Sequence, residues 1–304
     1  MRVSQGMISN NMLKNISSSY GSLNKYMNQL SSGKKITRPS DDPVVAMKGM
    51  GYRSQLSNIK QYERNLGEVH NWIDNTDEAM SEVTLIMHKI NDLTIQASNG
   101  TYDGEDRSNI GKEVDQLIDQ LVNIANTRVN DKYLFNGTDT NGVIDEEGNR
   151  IPPFTRDEDG NFTVSNNKED VLIEISAGVR FKVNSDPSSV FSKEFFDDLQ
   201  KLADDLNNGD IPDEGIGSHL ETIEGHLNKT LSEHATIGAR KNRIELIENR
   251  LANQSISAES MMSDNEDADV VEVIMSLTMQ EAIHRASLSA GARVLQPTLL
   301  DFLR

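Results

Sequence analysis

An apolar repeat that runs from Ile59 to Ala97 constrains the fold of this chain more than any other feature. Its residues follow one another at alternating steps of three and four positions, and only Thr76 and Thr94 interrupt it. This spacing keeps one stripe of a helix facing a partner helix, as in a coiled coil, and the striped part alone would be roughly 58 Å long. We predict a helical rod whose core contains Ile59, Leu66, Val69, Ile73, Met80, Val83, Met87 and Ile90.

The start of the rod helix can also be read from the sequence. Ser40 can cap free amides at a helix N-terminus, Asp42 suits the positive end of the helix dipole, and Pro43 suits the first helical position. We therefore predict that the helix begins near residue 42 and ends near residue 98. The same stepping of apolar residues predicts a third helix that ends near Asn130.

Both ends of the chain carry apolar stripes that have no obvious partner within one molecule. Residues 4–31 and 270–296 each predict an amphipathic helix, and the first of these is rich in Ser and Asn, which weaken an isolated helix. We expect the two terminal helices to pair and to become ordered when copies assemble. The residues expected to pack between subunits are Ile16, Leu23, Leu30, Ile274, Leu277, Leu288 and Leu295.

Between residues 139 and 214 the pattern changes from helical to irregular. Gly, Pro, Asn and Asp separate short apolar runs, and a period-two alternation around Ala177-Gly178 predicts a β-hairpin over residues 171–183. The segment holds 19 acidic and 7 basic residues, so most of the chain's net charge of −18 lies there. Ser192 predicts a helix over residues 193–208, which could belong to this segment or to the rod.

These elements predict a mainly α-helical fold. We expect an elongated antiparallel helical rod or coiled-coil bundle, with paired terminal helices and a small β-containing domain inserted at the far end. The expected domains are a terminal helical domain (1–41 and 270–304), a rod domain (42–138 and 215–269) and an inserted acidic domain (139–214). A long return helix should end near Ile256, and the acidic residues 264–269 should cap the last helix.

Composition and charge exclude several classes of function. The negative net charge argues against nucleic acid or an anionic membrane as a partner. The chain contains no run of 18 apolar residues, so we expect no segment that spans a membrane. The N-terminus also lacks the apolar core of a signal peptide, so export would need another route. The chain has no cysteine, which excludes disulfides and thiol chemistry.

No residue pattern points to catalysis, a cofactor or a metal. The six histidines lack the spacing of a helical zinc site, and phosphate-binding loops and nucleophile elbows are missing. Residues 157–160 (DEDG) could be the middle of a calcium loop, but the leading Asp and the closing Glu are absent. We expect a protein without a cofactor that is not an enzyme, and an enzyme of unrecognised type is the alternative.

Five motifs of this sequence, taken in chain order, resemble motifs of the flagellin superfamily. They are residues 30–36 (LSSGKKI), 41–46 (DDPVVA), 91–99 (NDLTIQASN), 238–245 (GARKNRIE) and 299–304 (LLDFLR). Members of this superfamily bring helical amino and carboxyl ends together and insert a variable domain between them. Within it, DDP at 41–43 and YLFNGT at 133–138 are more similar to the hook-associated members than to flagellin, whereas His284-Arg285 departs from the family pattern.

The resemblance implies a structural role in the bacterial flagellum, at the junction between hook and filament. The implied partners are neighbouring copies of the chain, a hook-associated junction protein on the hook side and flagellin on the filament side. It also implies an extracellular location, reached through the flagellar export apparatus with a FlgN-type export chaperone and without a cleaved signal peptide. Filament flagellin itself is the alternative, and a secreted tip protein of a related export system is a further one.

Overall fold

The computed structural model describes residues 5–99, 103–144, 150–157, 160–208 and 213–294. Within these ranges the chain is mostly helical with four small antiparallel sheets, which confirms the predicted mainly α-helical fold. The helices are α1 (Gln5–Ser32), α2 (Pro43–Ala97), α3 (Gly104–Ala125), α4 (Pro187–Val190), α5 (Lys193–Asn208), α6 (Asp213–Glu266) and α7 (Val270–Val294). The paired strands are β1 (Arg128–Val129) with β2 (Lys132–Tyr133), β3 (Val143–Ile144) with β4 (Arg150–Ile151), β5 (Thr155–Arg156) with β6 (Phe162–Thr163), and β7 (Leu172–Ser176) with β8 (Val179–Lys182). Among these described helices, none is long and apolar enough to cross a membrane.

The chain divides into two compact units. Unit 1 comprises Met1–Asn58 and Asn253–Arg304, and unit 2 comprises Ile59–Ala252. The three-domain division expected from the sequence stays a prediction. Helix α6 continues to Glu266, past the expected end near Ile256, because residues 251–268 contain no glycine or proline that would stop it.

Helix α2 begins at Pro43, and its cap is Asp42 rather than Ser40. The Oδ1 atom of Asp42 accepts hydrogen bonds from the backbone amides of Val44 at 2.9 Å and Val45 at 3.1 Å. Because a proline at the first helical position fixes the backbone there, the residue directly before it takes the capping position. The predicted start was therefore correct to within one residue, and the predicted capping side chain was wrong.

Ion pairs between α2 and α6 show that the two helices run antiparallel in unit 2. His70 Nε2 lies 3.1 Å from Glu248 Oε2, and Lys241 Nζ lies 2.9 Å from Asp74 Oδ1, so the numbers rise on one helix as they fall on the other. Hydrogen bonds to Asp74 and then Asp77 raise the pKa of Lys241 above its ordinary value. The charged pairs border the seam between the helices.

The apolar stripe of α2 faces the interior of unit 2. All eight residues proposed for the rod core are buried, with no more than 5% of any of them exposed. The interrupting threonines are buried as well. Thr76 Oγ1 donates to the carbonyl of Trp72 at 2.8 Å and Thr94 Oγ1 to that of Ile90 at 2.7 Å. Since each hydroxyl bonds within its own helix, threonine can occupy the stripe without leaving a polar group unpaired.

Helix α5, whose assignment the sequence left open, packs against α3. The two helices approach so closely at Gly111 that an added Cβ atom would lie 2.7 Å from Asn207 Oδ1 and 3.0 Å from its backbone nitrogen. Asn207 Nδ2 also donates to Asp115 Oδ2 at 3.1 Å. The predicted cap is confirmed, because Ser192 Oγ accepts from the amide of Phe195 at 3.1 Å.

Helix α3 ends at Ala125, earlier than the predicted end near Asn130. Asn130 and Asp131 instead adopt positive φ angles of 49° and 67° in the turn between β1 and β2. Asparagine and aspartate tolerate this left-handed conformation better than other residues with side chains. The short hairpin therefore replaces the last expected turn of the helix.

The predicted hairpin in the middle segment is confirmed as β7 and β8. The strands pair antiparallel around Ala177-Gly178, and Gly178 has a φ of +70°. Ile175, Phe181 and Val183 are buried, whereas Val179 is exposed. The alternation thus identified the strands and most of their inward-facing residues.

Six buried phenylalanines hold the middle segment together. They are Phe135, Phe154, Phe162, Phe191, Phe195 and Phe196. The ring centroids of Phe135 and Phe191 lie 5.0 Å apart in an edge contact, and Phe162 stacks on Phe196 at the same distance. This aromatic core lies in unit 2 and was not recognised from the sequence, because its members come from separate short elements.

Arg156 connects β5 to α3 at the edge of that aromatic core. Its guanidinium lies 5.7 Å from the centre of the Phe162 ring and donates to Asp115 at 2.9 Å and Asp119 at 2.8 Å. Burial acts to lower the pKa of Arg156, but the hydrogen bonds to the two carboxylates raise it above its ordinary value. Arg156 therefore remains charged and anchors the strand to the helix.

Candidate assembly surface

Unit 1 has almost no apolar core of its own. Among its described residues, Ala258 and Val273 are the only apolar side chains that are buried, and all the others belong to unit 2. Its described part nevertheless contains four helical stretches, which are α1, the start of α2, the end of α6 and α7. A folded unit that buries so little apolar surface has little to stabilise it in isolation.

The apolar side chains of α1 and α7 are instead largely exposed. On α1 they are Met7, Ile8, Leu13, Tyr20, Met27 and Leu30, and on α7 they are Val270, Val271, Ile274, Met275, Met279, Ile283 and Leu288. Val44, Met47 and Met50 extend this exposure along the first turns of α2. We call these apolar residues of α1 and α7 the assembly surface. Exposed apolar surface on this scale is typical of protein interaction sites.

Helices α1 and α7 pack on each other through polar, small and apolar side chains. Gln280 Nε2 donates to Ser19 Oγ at 3.0 Å, and Met12 and Ile16 lie beside Gly291. The pairing is antiparallel, because Ser19 meets Gln280 while the earlier Met12 meets the later Gly291. An open groove of about 350 Å³ remains between the helices, and it is lined by Met12, Asn15, Ile16, Ile283, Ala286, Ser287 and Ala290.

The structure distributes the predicted subunit-packing residues along this surface. Ile16 lines the groove, and Leu23 and Leu277 are half-buried. The more exposed members are Leu30 at 40%, Ile274 at 44% and Leu288 at 48%. Leu295 lies outside the described residues. Whether these residues pack between subunits stays a prediction.

A cluster of charges joins the segment before α2 to the end of α6, all within unit 1. Glu266, of which only 5% of the side chain is exposed, lies 2.6 Å from the guanidinium of Arg53 and 3.6 Å from Lys34 Nζ. Lys34 Nζ also donates to Asp267 Oδ1 at 2.7 Å. We call Lys34, Arg53, Glu266 and Asp267 the charged clamp.

The charged clamp shifts the ionisation of its members in opposite directions. The hydrogen bond to Asp267 raises the pKa of Lys34 above its ordinary value, although partial burial opposes this. The same hydrogen bond, together with one from Ser263, lowers the pKa of Asp267. Both groups are therefore charged at neutral pH.

Backbone hydrogen bonds accompany the clamp. The amide of Lys35 donates to the carbonyl of Glu266 at 2.6 Å, and the amide of Ala268 donates to the carbonyl of Gly33 at 2.9 Å. Gly33 has a φ of +68°, which favours glycine at this position. Asp269 then caps α7 through the amides of Val271 and Glu272, as expected for part of the acidic run.

The charged clamp was not predicted from the sequence, although both of its charged segments stand out there. The basic residues 34–35 lie within the first of the five motifs, and the acids 264–269 were expected to cap the last helix. A signal was available in the sequence, because a basic run without acids and an acidic run without bases are complementary. Their separation by more than 220 positions hid the contact, since local patterns do not report it.

Four histidines of unit 2 pair with carboxylates across helix contacts. His226 Nε2 lies 3.0 Å from Asp198 Oδ2, and His219 Nε2 lies 2.7 Å from Asp205 Oδ2, so both pairs connect α6 to α5. Burial acts to raise the pKa of Asp198, but hydrogen bonds from His226 and Lys201 lower it. Within the described ranges, no group of three or more His, Asp or Glu is arranged to hold a metal ion.

Comparison with known families matches both ends of the chain. The bacterial flagellin N-terminal helical region matches residues 3–140, and the bacterial flagellin C-terminal helical region matches residues 220–303. Residues 141–219, which include most of the acidic segment, lie between the two matches. The chain thus resembles the helical parts of flagellins with its own middle segment inserted.

Individual relatives match along nearly the whole chain. Flagellar hook-associated protein 3 of Escherichia coli is 24% identical over 303 residues, which cover 95% of this chain and 96% of that protein. Flagellin of Bacillus subtilis is 26% identical over 310 residues and 100% of both chains. The solved structure of a putative flagellar hook-associated protein from Vibrio parahaemolyticus superposes with a TM-score of 0.66 at 18% identity, and covers 75% of this chain and 100% of that one.

Proposed function

Because this chain belongs to the flagellin family, whose N- and C-terminal helical regions both match it, we propose that it is a structural protein of the bacterial flagellum at the junction between hook and filament. One observation carries this proposal. Unit 1 exposes its apolar side chains on α1 and α7, and its described part buries only Ala258 and Val273. Such a unit gains most of its stability when further subunits cover it.

Junction and filament are two positions for the same kind of subunit. The full-length similarity to flagellar hook-associated protein 3 of Escherichia coli supports the junction, as do the motifs at residues 41–43 and 133–138. The equally complete match to Bacillus subtilis flagellin supports filament flagellin as the second candidate. The two candidates differ in copy number and position, because a junction needs few subunits at one place.

The proposed partners follow from this position. Neighbouring copies of the chain would cover the assembly surface, with a hook-associated junction protein on the hook side and flagellin on the filament side. Before assembly the exposed apolar side chains need another cover, which is a role for an export chaperone of the FlgN type. The protein would leave the cell through the flagellar export apparatus without a cleaved signal peptide, and it would act as a structural component rather than as an enzyme.

Deletion of the gene, followed by electron microscopy and localisation of the restored protein, tests the proposal. We expect hooks without filaments in the deletion strain and flagellin lost to the medium. A tagged copy that restores motility should label one narrow band at the base of each filament. Label along the whole filament would support flagellin instead, and unchanged filaments in the deletion strain would contradict a structural role in filament assembly.

A further inference from the structure

The charges of unit 1 are separated between two segments of the chain. Residues 1–40 contain six Lys or Arg and no Asp or Glu, whereas residues 251–284 contain seven Asp or Glu and no Lys or Arg. Within one copy the two segments meet at the charged clamp, which uses Lys34, Glu266 and Asp267. Charges of both signs remain outside the clamp.

Three of the remaining basic residues, Lys25, Lys35 and Arg38, line a polar groove of about 260 Å³ beside α1 and the segment that leads to α2. Its walls include Asn24, Lys25, Asn28, Lys35, Thr37 and Arg38, which we call the basic groove. Lys25 and Arg38 are exposed, and neither forms a salt bridge with any residue of the described ranges. Asp41, which also borders the groove, accepts the amide hydrogens of Arg38 and Thr37.

The amides of Arg38 and Thr37 lower the pKa of Asp41, so this carboxylate keeps its charge with partners from its own loop. Lys35 Nζ donates to a backbone carbonyl, that of Asp264, and not to a carboxylate. Lys25 is therefore the cation of the groove that still lacks an acidic partner in the part of the chain that the structure describes, and Asn24 and Asn28 add side-chain amides beside it. Such a surface suits carboxylate side chains.

The remaining acidic charge lies at the end of α6 and the start of α7. Glu272 is exposed in the first turn of α7, and it has no salt-bridge partner in the part of the chain that the structure describes. The carboxylate of Asp264 is exposed as well. Residues 251–284 themselves contain no basic residue, and the Lys35 ammonium beside Asp264 donates to its backbone carbonyl at 2.8 Å.

We propose that the basic groove of one copy receives the acidic segment around Glu272 of a second copy. This inference rests on the proposed function, because it assigns a second contact to subunits that assemble through α1 and α7. Apolar surfaces attract without a preferred direction, whereas complementary charges fix which sides meet and reject wrong pairings. The charged contact would thus orient copies that the assembly surface holds together.

Charge reversal in the full-length chain tests this contact. Sedimentation velocity would measure the Kd of self-association for the wild type, for Lys25→Glu and for Glu272→Lys, at low and at high sodium chloride. We expect each variant to weaken association at low salt, with Kd raised roughly five- to tenfold, since an attraction becomes a repulsion between exposed charges. Lys112→Glu, on the exposed face of α3 in unit 2, makes the same charge change away from α1 and α7, so it is the matched control and should leave Kd nearly unchanged.

A mixture of the two variants gives the decisive result. In the mixture, the groove of Lys25→Glu carries a negative charge that matches the positive charge of the altered segment in Glu272→Lys. The unaltered groove of Glu272→Lys likewise matches the unaltered acidic segment of Lys25→Glu. The mixture should therefore regain the wild-type Kd. Each variant alone should remain weak. Circular dichroism would verify that both variants keep the helix content of the wild type.

Three outcomes would overturn the inference: a wild-type chain that stays monomeric at every concentration, a Kd that ignores salt and Lys25→Glu, or a mixture that fails to recover. The proposed function is judged separately, by filaments in the deletion strain. If copies associate without regard to these charges and the deletion still removes filaments, the charged contact is wrong and the junction role stands.

Discussion

A carboxylate oxygen of Glu266 occupies the space that a Cβ atom on Gly49 would need. The other oxygen of the same carboxylate receives the Arg53 guanidinium at 2.6 Å. Glycine at position 49 thus lets the buried end of α6 lie directly against the backbone of α2 within unit 1. The charged clamp depends on this close approach.

Substitution of Gly49 by alanine should weaken the clamp. The added methyl group would displace the Glu266 carboxylate from Arg53, and a buried carboxylate that loses its partner is destabilising. We expect faster amide exchange at Lys35 and Ala268, and a free energy of unfolding lowered by roughly 1 to 2 kcal/mol.

Gly51 provides a matched control two positions along the same helix. A Cβ atom there would meet no other atom within 4 Å. Alanine at position 51 should therefore stabilise the protein by roughly 0.5–1 kcal/mol through helix propensity alone. If both alanine variants gave the same gain, the contact between Glu266 and α2 would have no energetic role.

Acid should open the clamp through Asp267. The hydrogen bond from Lys34 lowers the pKa of Asp267 from its ordinary 3.8, so its stabilising effect is fully present above about pH 3.8 and is lost as the pH falls through the folded-state value. Protection of the Ala268 amide, corrected for intrinsic exchange, should decrease over that range. In Asp267→Asn the corresponding step should disappear, and an identical profile in both proteins would exclude Asp267 as the titrating group.

Alkali should weaken the same contact by deprotonating Lys34. The pKa of Lys34 is raised above its ordinary 10.5, so its contribution is present below about pH 10.5 and is lost as the pH rises through the folded-state value. Lys34→Gln should remove this second step in the protection of the Ala268 amide. A step that persists in this variant would have to come from another base.

Gly111 should be intolerant of a side chain because α5 covers it. Alanine at this position would press against the backbone and side chain of Asn207, which should lower the free energy of unfolding by roughly 1 to 3 kcal/mol. Gly67→Ala, on the exposed face of α2, meets no neighbouring atom and should stabilise by roughly 0.5–1 kcal/mol. Urea denaturation of the two variants would compare these effects, and equal stabilities would show that α3 and α5 can separate without cost.

The features predicted correctly from the sequence depend on neighbours that are close along the chain. The buried stripe from Ile59 to Ile90 follows from a repeat of three and four, because residues at that spacing share one face of a helix. The hairpin of β7 and β8 follows from an alternation of two around Gly178. In both cases the period of the side chains determines which face is buried.

The features that the sequence did not predict depend on contacts between distant segments. Nothing local to Gly111 indicates that Asn207 lies against it, so the packing of α5 on α3 could not be anticipated. The clamp between Lys34 and Glu266 also requires that the two chain ends meet first. Likewise, the expected end of α6 near Ile256 was wrong because the apolar stripe fades there although nothing breaks the helix.

The two kinds of apolar stripe should respond differently to truncation. Leu66 and Ile73 of α2 are buried in unit 2, so alanine at either position should lower the free energy of unfolding of the monomer by roughly 2 to 4 kcal/mol through lost burial and a residual cavity. Leu30 and Leu288 keep 40% and 48% of their surface exposed in unit 1. Alanine there removes little buried surface, so the melting temperature of the monomer should hardly change.

The assembly role predicts the opposite ranking in the cell. If neighbouring subunits cover α1 and α7, then Leu30→Ala and Leu288→Ala should impair filament growth although the monomer melts normally, because apolar burial is lost only on assembly. Calorimetry of the purified variants and motility of a complemented deletion strain measure the two effects separately. Polar changes at exposed sites of unit 2, such as Glu78→Gln, provide a control that should alter neither readout. Should Leu30→Ala and Leu288→Ala destabilise the monomer as strongly as Leu66→Ala, the terminal helices would be ordinary core, and assembly could not be what buries them.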